Sequence, residues 1–168
     1  MYNYISSIYK GGFGLSEYNI KTVINYPIER VFKVFIDLNK REFPKFNEKN
    51  PIGCNNKRTI KYVAKQKIEM VTTVTGYEKN KLYEVTNLIN VDTYITKFDF
   101  NKIDDNTTEI SMTEIQMVKR FTSQLAFLIE KLSAKKKLKD KIVNIKKILE
   151  HELERRDGSK DKLEEVNN

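Results

Sequence analysis

The chain has 168 residues, of which 39% are apolar and 32% charged, with nine Phe, nine Tyr and a net charge of +8. That is the composition of one globular domain, long enough to bury roughly 70% of its unfolded surface and too apolar for a disordered chain. A helical membrane span is excluded because no stretch approaches ~18 consecutive apolar residues, and one cysteine, Cys54, with one histidine, His151, excludes disulfide, thiolate-metal and multi-histidine sites.

The first ten residues lack the basic start, apolar run and small-residue cleavage site of a secretory leader. With the single cysteine, this points to a cytoplasmic protein. Residues 1–16, with Gly11, Gly12 and Gly14, read as a loosely ordered lead-in. From Asn19 to Tyr26 apolar residues alternate, which predicts a strand. Pro27 ends it and suits the first turn of a helix. Ile28, Val31, Phe32, Phe35 and Leu38 then share a helical face. A second short helix is expected around Arg41–Phe46, with Pro44 disturbing its start.

Asn50–Asn56 is rich in turn residues. Five runs rich in Val, Ile, Thr, Tyr and Phe follow, at about 57–65, 67–77, 81–90, 92–103 and 107–118. Short connections such as Glu78-Lys79-Asn80 and Asp104-Asp105-Asn106 make them an antiparallel meander. From Arg120 to Leu153 no Gly or Pro interrupts the chain, which predicts a long helix opened by Thr122 or Ser123. Residues 154–168 read as a charged tail. Because the strands cluster instead of alternating with helices, the class is α+β. A meander cannot leave its apolar face wet, and the long helix is the element large enough to cover it.

The residues of that order resemble a known superfamily. The opening NIKTVINYPIERVFKVFIDLNK resembles the start of START-type domains, the superfamily of the birch pollen allergen and the polyketide cyclases. The runs VTGYEKNKLYEVTN, YITKFDFNKIDDNTTEISMTE and FTSQLAFLIEKLSAKKKLKDKIVNIKKILEHEL are similar to an uncharacterised, mainly Gram-positive bacterial branch of it. The resemblance covers residues 17–153. It implies the helix-grip fold: a curved antiparallel sheet, two short N-terminal helices and a long C-terminal helix. START-type proteins bind lipids, hormones or aromatic metabolites, act as cyclases or hydrolases, or assist other proteins, so fold alone does not choose a function. No catalytic motif is carried over.

Strand alternation locates a candidate pocket. The more apolar set of each strand is Ile60, Tyr62 and Ala64; Ile68, Met70 and Val74; Tyr83, Val85 and Ile89; Tyr94, Phe98 and Phe100; Ile110 and Met112. The polar residues on those inward sets are Arg58, Thr72, Asn87, Thr96 and Glu114. Opposite them the long helix offers Phe121, Leu125, Leu128 and Leu132. The ligand-binding candidates are therefore Arg58, Tyr62, Met70, Thr72, Tyr83, Asn87, Tyr94, Thr96, Phe98, Phe100, Met112, Glu114, Leu125 and Leu128. The bland alternative is that most of them are plain core, with Arg58 and Glu114 at wet strand ends.

A binding module for a small, largely apolar molecule is the first expectation. A cyclase or hydrolase would need Arg58, Glu114 or a cavity tyrosine to converge as acid, base or charge stabiliser. No metal and no cofactor is expected, since Gly11-Gly12-Phe13-Gly14 lacks the spacing and the Lys of a phosphate loop. Residues 119–150 hold ten basic and three acidic side chains. In that segment the stripe Phe121, Leu125, Leu128 and Leu132 does not continue straight into Leu138, Ile142, Ile145 and Leu149, so a bend or two separate surfaces is expected near Ser133–Lys137. Such a basic amphipathic helix over residues 135–153 suits a protein partner or an anionic membrane surface. Nucleic acid is disfavoured, because aromatics and Arg are not interleaved with the lysines.

Overall fold

A computed structural model describes the backbone of residues 4–10, 13–63, 66–119 and 124–166, and the side-chain surroundings of 16–60, 62, 67–118 and 136–158. Seven strands form one antiparallel sheet: β1 (Tyr4–Lys10), β2 (Phe13–Ile24), β3 (Asn55–Val63), β4 (Gln66–Glu78), β5 (Leu82–Ile89), β6 (Asp92–Asp104) and β7 (Thr107–Lys119). Helix α1 (Ile28–Asn39) follows β2, a 3-10 turn over Lys40–Glu42 extends it, and α2 (Gln124–Val166) closes the chain. The spatial order is β1-β2-β7-β6-β5-β4-β3, so the meander β3–β7 closes on β2. This is the helix-grip architecture, with α2 lying against β2 and α1.

Local chemistry sets the turns and the curvature. Pro27 holds φ at −57°, and its carbonyl accepts from the amides of Arg30 and Val31 at 3.0 and 3.1 Å. Asn80 and Asn90 take positive φ, 61° and 54°, in the tight turns before β5 and β6, where asparagine tolerates the left-handed region. A bulge lies between Val74 and Gly76. A Cβ at Gly76 would stand 2.9 Å from the Cβ of Glu84, so only glycine lets β4 bend there.

The core sits where α1 meets the concave face. Ile28, Val31, Phe32 and Phe35 are buried, as the helical spacing predicts. The Phe35 ring lies 5.5, 4.8 and 5.1 Å from the rings of Tyr83, Phe98 and Phe100, and Phe32 stands edge-on to Phe100 at 5.0 Å. Ile24, Val74, Ile110 and Met112 complete a fully buried layer.

Three expectations are corrected. Residues 1–16, read as a loose lead-in, hold the strand β1 (Tyr4–Lys10), which pairs with β2. In place of a second short helix over Arg41–Phe46 there is only the 3-10 turn Lys40–Glu42, because Pro44 removes the next amide donor. Helix α2 runs unbroken through Ser133–Lys137, and the first of the two stripes between which a bend or a change of surface is expected lies outside the described residues. Its stripe Leu138, Ile142, Leu149 and Leu153 is buried within the chain, with Ile145 half-covered beside it. Finally, the charged tail continues the helix to Val166. Arg156 donates to Asp37 of α1 at 3.0 Å, and Arg30 pairs with Asp157. These contacts offset the roughly 1 kcal/mol that Gly158 costs a helix. Burial acts to raise the Asp37 carboxyl, but hydrogen bonds from Lys40 and Arg156 outweigh it and hold the group below its ordinary value.

Candidate functional site

Beyond the packed layer, the sheet, α1 with its 3-10 turn, and α2 leave a cleft of about 420 Å³. Strand register orders its floor. The innermost row is Tyr83 and Phe98, with Met112 and Ile20 continuing it as core. Next outward come Val85 and Thr96, whose row continues into Glu114 and Tyr18. Thr72, Asn87 and Tyr94 form the following row, and beyond it Arg58 stands opposite Met70. The floor therefore changes from apolar to polar to cationic along the strands.

Thr72 Oγ1 donates to Asn87 Oδ1 at 2.6 Å, and both residues line the cleft. Leu38, Asn39, Glu42 and Phe43 wall one side, while Lys141, Ile145, Ile148 and Leu149 wall the other. Lys141 donates to Glu114, which draws that carboxylate toward α2. Arg58 is exposed at the rim and enters no ion pair among the described residues. Tyr83 is 1% exposed, and its hydroxyl is buried without a hydrogen-bond partner. Burial pushes that phenol well above its ordinary pKa, and the charge of Glu42 adds to the shift.

Six of the candidates read from the sequence meet in this cleft: Arg58, Thr72, Tyr83, Asn87, Thr96 and Phe98. Met70 and Met112 are buried outside its described lining, and Phe100 lies under Phe32 and Phe35. Tyr94 is half-buried beside Asn87. Glu114 is held by Lys141. Tyr62 is corrected outright: it is 70% exposed, and Ile60 is exposed too. The pairing of β3 with β4 slips between Thr59 and Lys61, so Tyr62 falls opposite Lys67 on the outward set. Ala64, Phe121 and the side chains of Leu125, Leu128 and Leu132 lie outside the described residues. The helix wall of the described cleft comes from 141–149, the half of α2 for which sequence reading left a bend or a separate surface open. Phe35 and Leu38 were legible as an apolar face but not as a wall.

Arg58 and Glu114 do not converge, since β3 and β7 stand four places apart in the sheet and Glu114 is engaged by Lys141. Among the described residues no group of three His, Cys, Asp or Glu side chains could hold a metal ion, and no helix is long and apolar enough to cross a membrane. A second, shallower depression lies over the loop Pro44–Asn55, lined by Cys54 and mostly exposed residues.

Residues 18–135 match the family described as domain of unknown function DUF3284. The chain belongs to that family. The DUF3284 match contains β3–β7 and every floor residue of the cleft but stops short of Lys141–Leu149. Comparison with curated proteins returned no match. Among solved structures, the chain is similar to a protein of unknown function, SA2116 from Staphylococcus aureus, at 12% identity and a TM-score of 0.63 over 86% of this chain and 96% of that one. It is also similar to Ara h 8.0201, at 14% identity and a TM-score of 0.56 over 83% and 98% of the two chains. A third likeness is to the Zhui aromatase/cyclase of Streptomyces sp. R1128, at 13% identity and a TM-score of 0.54 over 84% and 95%. At these identities the likenesses establish the helix-grip fold of this DUF3284 chain and nothing finer.

Proposed function

We propose that this DUF3284 chain is a cytoplasmic, non-catalytic module that binds a small, largely apolar molecule in the cleft between the sheet and the two helices. The observation that carries this reading is the cleft itself. Its volume, about 420 Å³, falls in the range of roughly 300–1,000 Å³ usual for small-molecule sites. Its walls mix Leu38, Phe43, Ile145, Ile148 and Leu149 with Asn39, Glu42 and Lys141, and a short polar row crosses its floor. Apolar side chains that line an open cleft stay in contact with water, and covering them removes that apolar surface from it. A bound apolar body would cover them. The fold agrees with this use, since one START-type relative of similar architecture is an aromatase/cyclase, although fold by itself does not transmit activity. The apolar stripe of α2, which a protein or membrane partner would require, is already covered by β2 and α1.

Native mass spectrometry and thermal shift against a lipid and metabolite extract test the reading. Binding selectively to the folded state raises the melting temperature with ligand concentration, and a retained mass should appear on the native protein. Uniform absence of both, across extract fractions, would overturn it.

A further inference from the structure

The outward face of the sheet lies away from both helices, since α1 and α2 sit on the concave side. Alternation in a sheet with one wet face puts polar residues outward, yet two adjacent outward rows are largely aliphatic. One runs Val71, Leu88, Thr93 and Met117 across β4, β5, β6 and β7. The next sets Ile95 opposite Ile115, between Thr86 of β5 and Glu17 of β2. Leu88 is 46% exposed, and the other four aliphatic side chains are half-buried. The polar residues that flank these rows bond laterally to one another. Asn19 donates to Ser111 at 2.9 Å and to Thr113 at 2.7 Å, and Thr75 donates to Glu84 at 2.7 Å. Lys97 pairs with Asp99 and Lys21 with Glu109, while on the opposite flank Glu69 takes both Lys57 and Lys67.

We infer that this outward face docks a second copy of the chain, sheet against sheet. The inference goes beyond the cleft reading and does not depend on it. With its lateral bonds made, the face can be dried without stranding those polar groups. Five strands at about 4.8 Å and three rows at about 7 Å give a footprint of about 500 Å² per copy. Two copies would then bury about 1,000 Å² together, the lower bound of a specific interface. Charge selects the partner. The chain carries +8, but this face sets four lysines, each already paired, against five carboxylates, Glu17 and Glu84 included, a net of −1. An anionic partner would find every one of those lysines engaged. A second copy brings the same near-neutral aliphatic rows, so the contact keeps the chain's positive charge out of itself. The exposed lysines of α2, Lys136 and Lys147 among them, stand on the other side of the sheet. A two-fold contact asks only that one patch complement itself, and flat aliphatic rows do so in the aligned packing of two sheets.

Sedimentation of the full chain across the micromolar range tests the inference, because a contact of this size predicts a weak, micromolar dimer. Leu88→Glu and Ile95→Thr should each weaken that dimer about tenfold or more, while still melting cooperatively as the native monomer does. If Leu88→Glu does not fold, Ile95→Thr, which keeps a β-branched shape, decides. Ile148→Glu, at an equally exposed position on α2 (46%), should leave the dimer intact. Added salt should tighten the dimer slightly, by screening the repulsion between two positively charged chains. A dimer that salt dissolves would be held by ions, and would overturn the assignment to this face. So would a dimer that survives both Leu88→Glu and Ile95→Thr. A native chain that stays monomeric throughout would overturn the inference outright. If that monomer floats with phosphatidylglycerol vesicles and Leu88→Glu does not, the face belongs to a lipid surface instead.

Discussion

The two ends of the concave face use the same sheet for opposite purposes. At the α1 end, Phe32 and Phe35 fill the space over Phe98 and Phe100, α2 delivers Leu149 and Leu153, and the ion pairs Arg156–Asp37 and Arg30–Asp157 hold helix to helix. At the far end the rows turn polar and β3 is an edge with a bulge. The first arrangement is what stability requires: large side chains in mutual contact, with buried polar groups paired. The second leaves volume, mixed chemistry and, in Arg58, a cation with no ion pair among the described residues, which packing alone does not require. Packing is therefore concentrated at one end, and the open cleft lies toward the other.

The largest effect should come from the packed end. Phe35→Ala deletes a ring that is 3% exposed and touches three other aromatic rings. A loss of about 3–5 kcal/mol is expected from transfer and cavity terms together. Urea melts measure it directly. A loss below about 1 kcal/mol would mean that α1 can collapse into the gap, and the contrast between the two ends would lose its basis.

Tyr83 sits at the border between the ends and should respond with the opposite sign. Its ring is packed against Phe35, but its hydroxyl is buried without a partner. An unsatisfied buried polar group costs about 1–3 kcal/mol, so Tyr83→Phe should stabilise the empty protein by about 1 kcal/mol. If the same substitution weakens ligand binding, the hydroxyl belongs to the recognition end; if binding is unchanged, it belongs to the core. A net destabilisation in the ligand-free protein would show that the hydroxyl has a partner after all.

The packed end was the more legible of the two. Alternation on β5 and β6 correctly put Tyr83, Phe98 and Phe100 inward, because regular pairing preserves the period of two. The spacing of Phe32 and Phe35 gave the buried face of α1 for the same kind of reason. On β3 the reading failed at one step. The bulge after Thr59 shifts parity, so Arg58 and Tyr62, alike on paper, part company. Nothing in the residues Thr59-Ile60-Lys61 announces that slip. The part played by 141–149 was not legible for another reason: which stretch of α2 reaches the described cleft depends on how far the helix runs past the sheet. That was hidden by Gly158, which normally signals an end.

Acid should loosen the packed end before it disturbs the cleft. Hydrogen bonds from Arg155 and Arg156 hold the Glu152 carboxyl down to about 2, from an ordinary 4.5. Asp37, on the facing helix, is also held below its ordinary value once its paired hydrogen bonds have outweighed burial. A depressed carboxylate pKa means that the unfolded chain binds the proton first. The stabilisation is therefore complete above about pH 4.5 and is lost as pH falls toward 2. Amide exchange over residues 150–157 should quicken in that window, and Arg156→Gln should flatten the dependence. An unchanged profile in Arg156→Gln would remove the ion pairs from the account of how α2 is docked.

The smallest effect belongs at the open edge and is the sharpest check on the bulge. Tyr62 is 70% exposed and lies on the outward set, whereas regular alternation would have turned it into the cleft. With so little of the side chain buried, Tyr62→Ser should change stability by no more than about 0.5 kcal/mol. Its effect on ligand affinity should be nil, in contrast to Arg58→Gln four residues earlier on the same strand. The two substitutions thus separate position in the sequence from position in the sheet. If Tyr62→Ser weakens binding as Arg58→Gln does, the strand runs without its bulge when a ligand is bound. The edge would then be a moving part of the site, and the division between packed and recognising ends would have to be redrawn one strand further in.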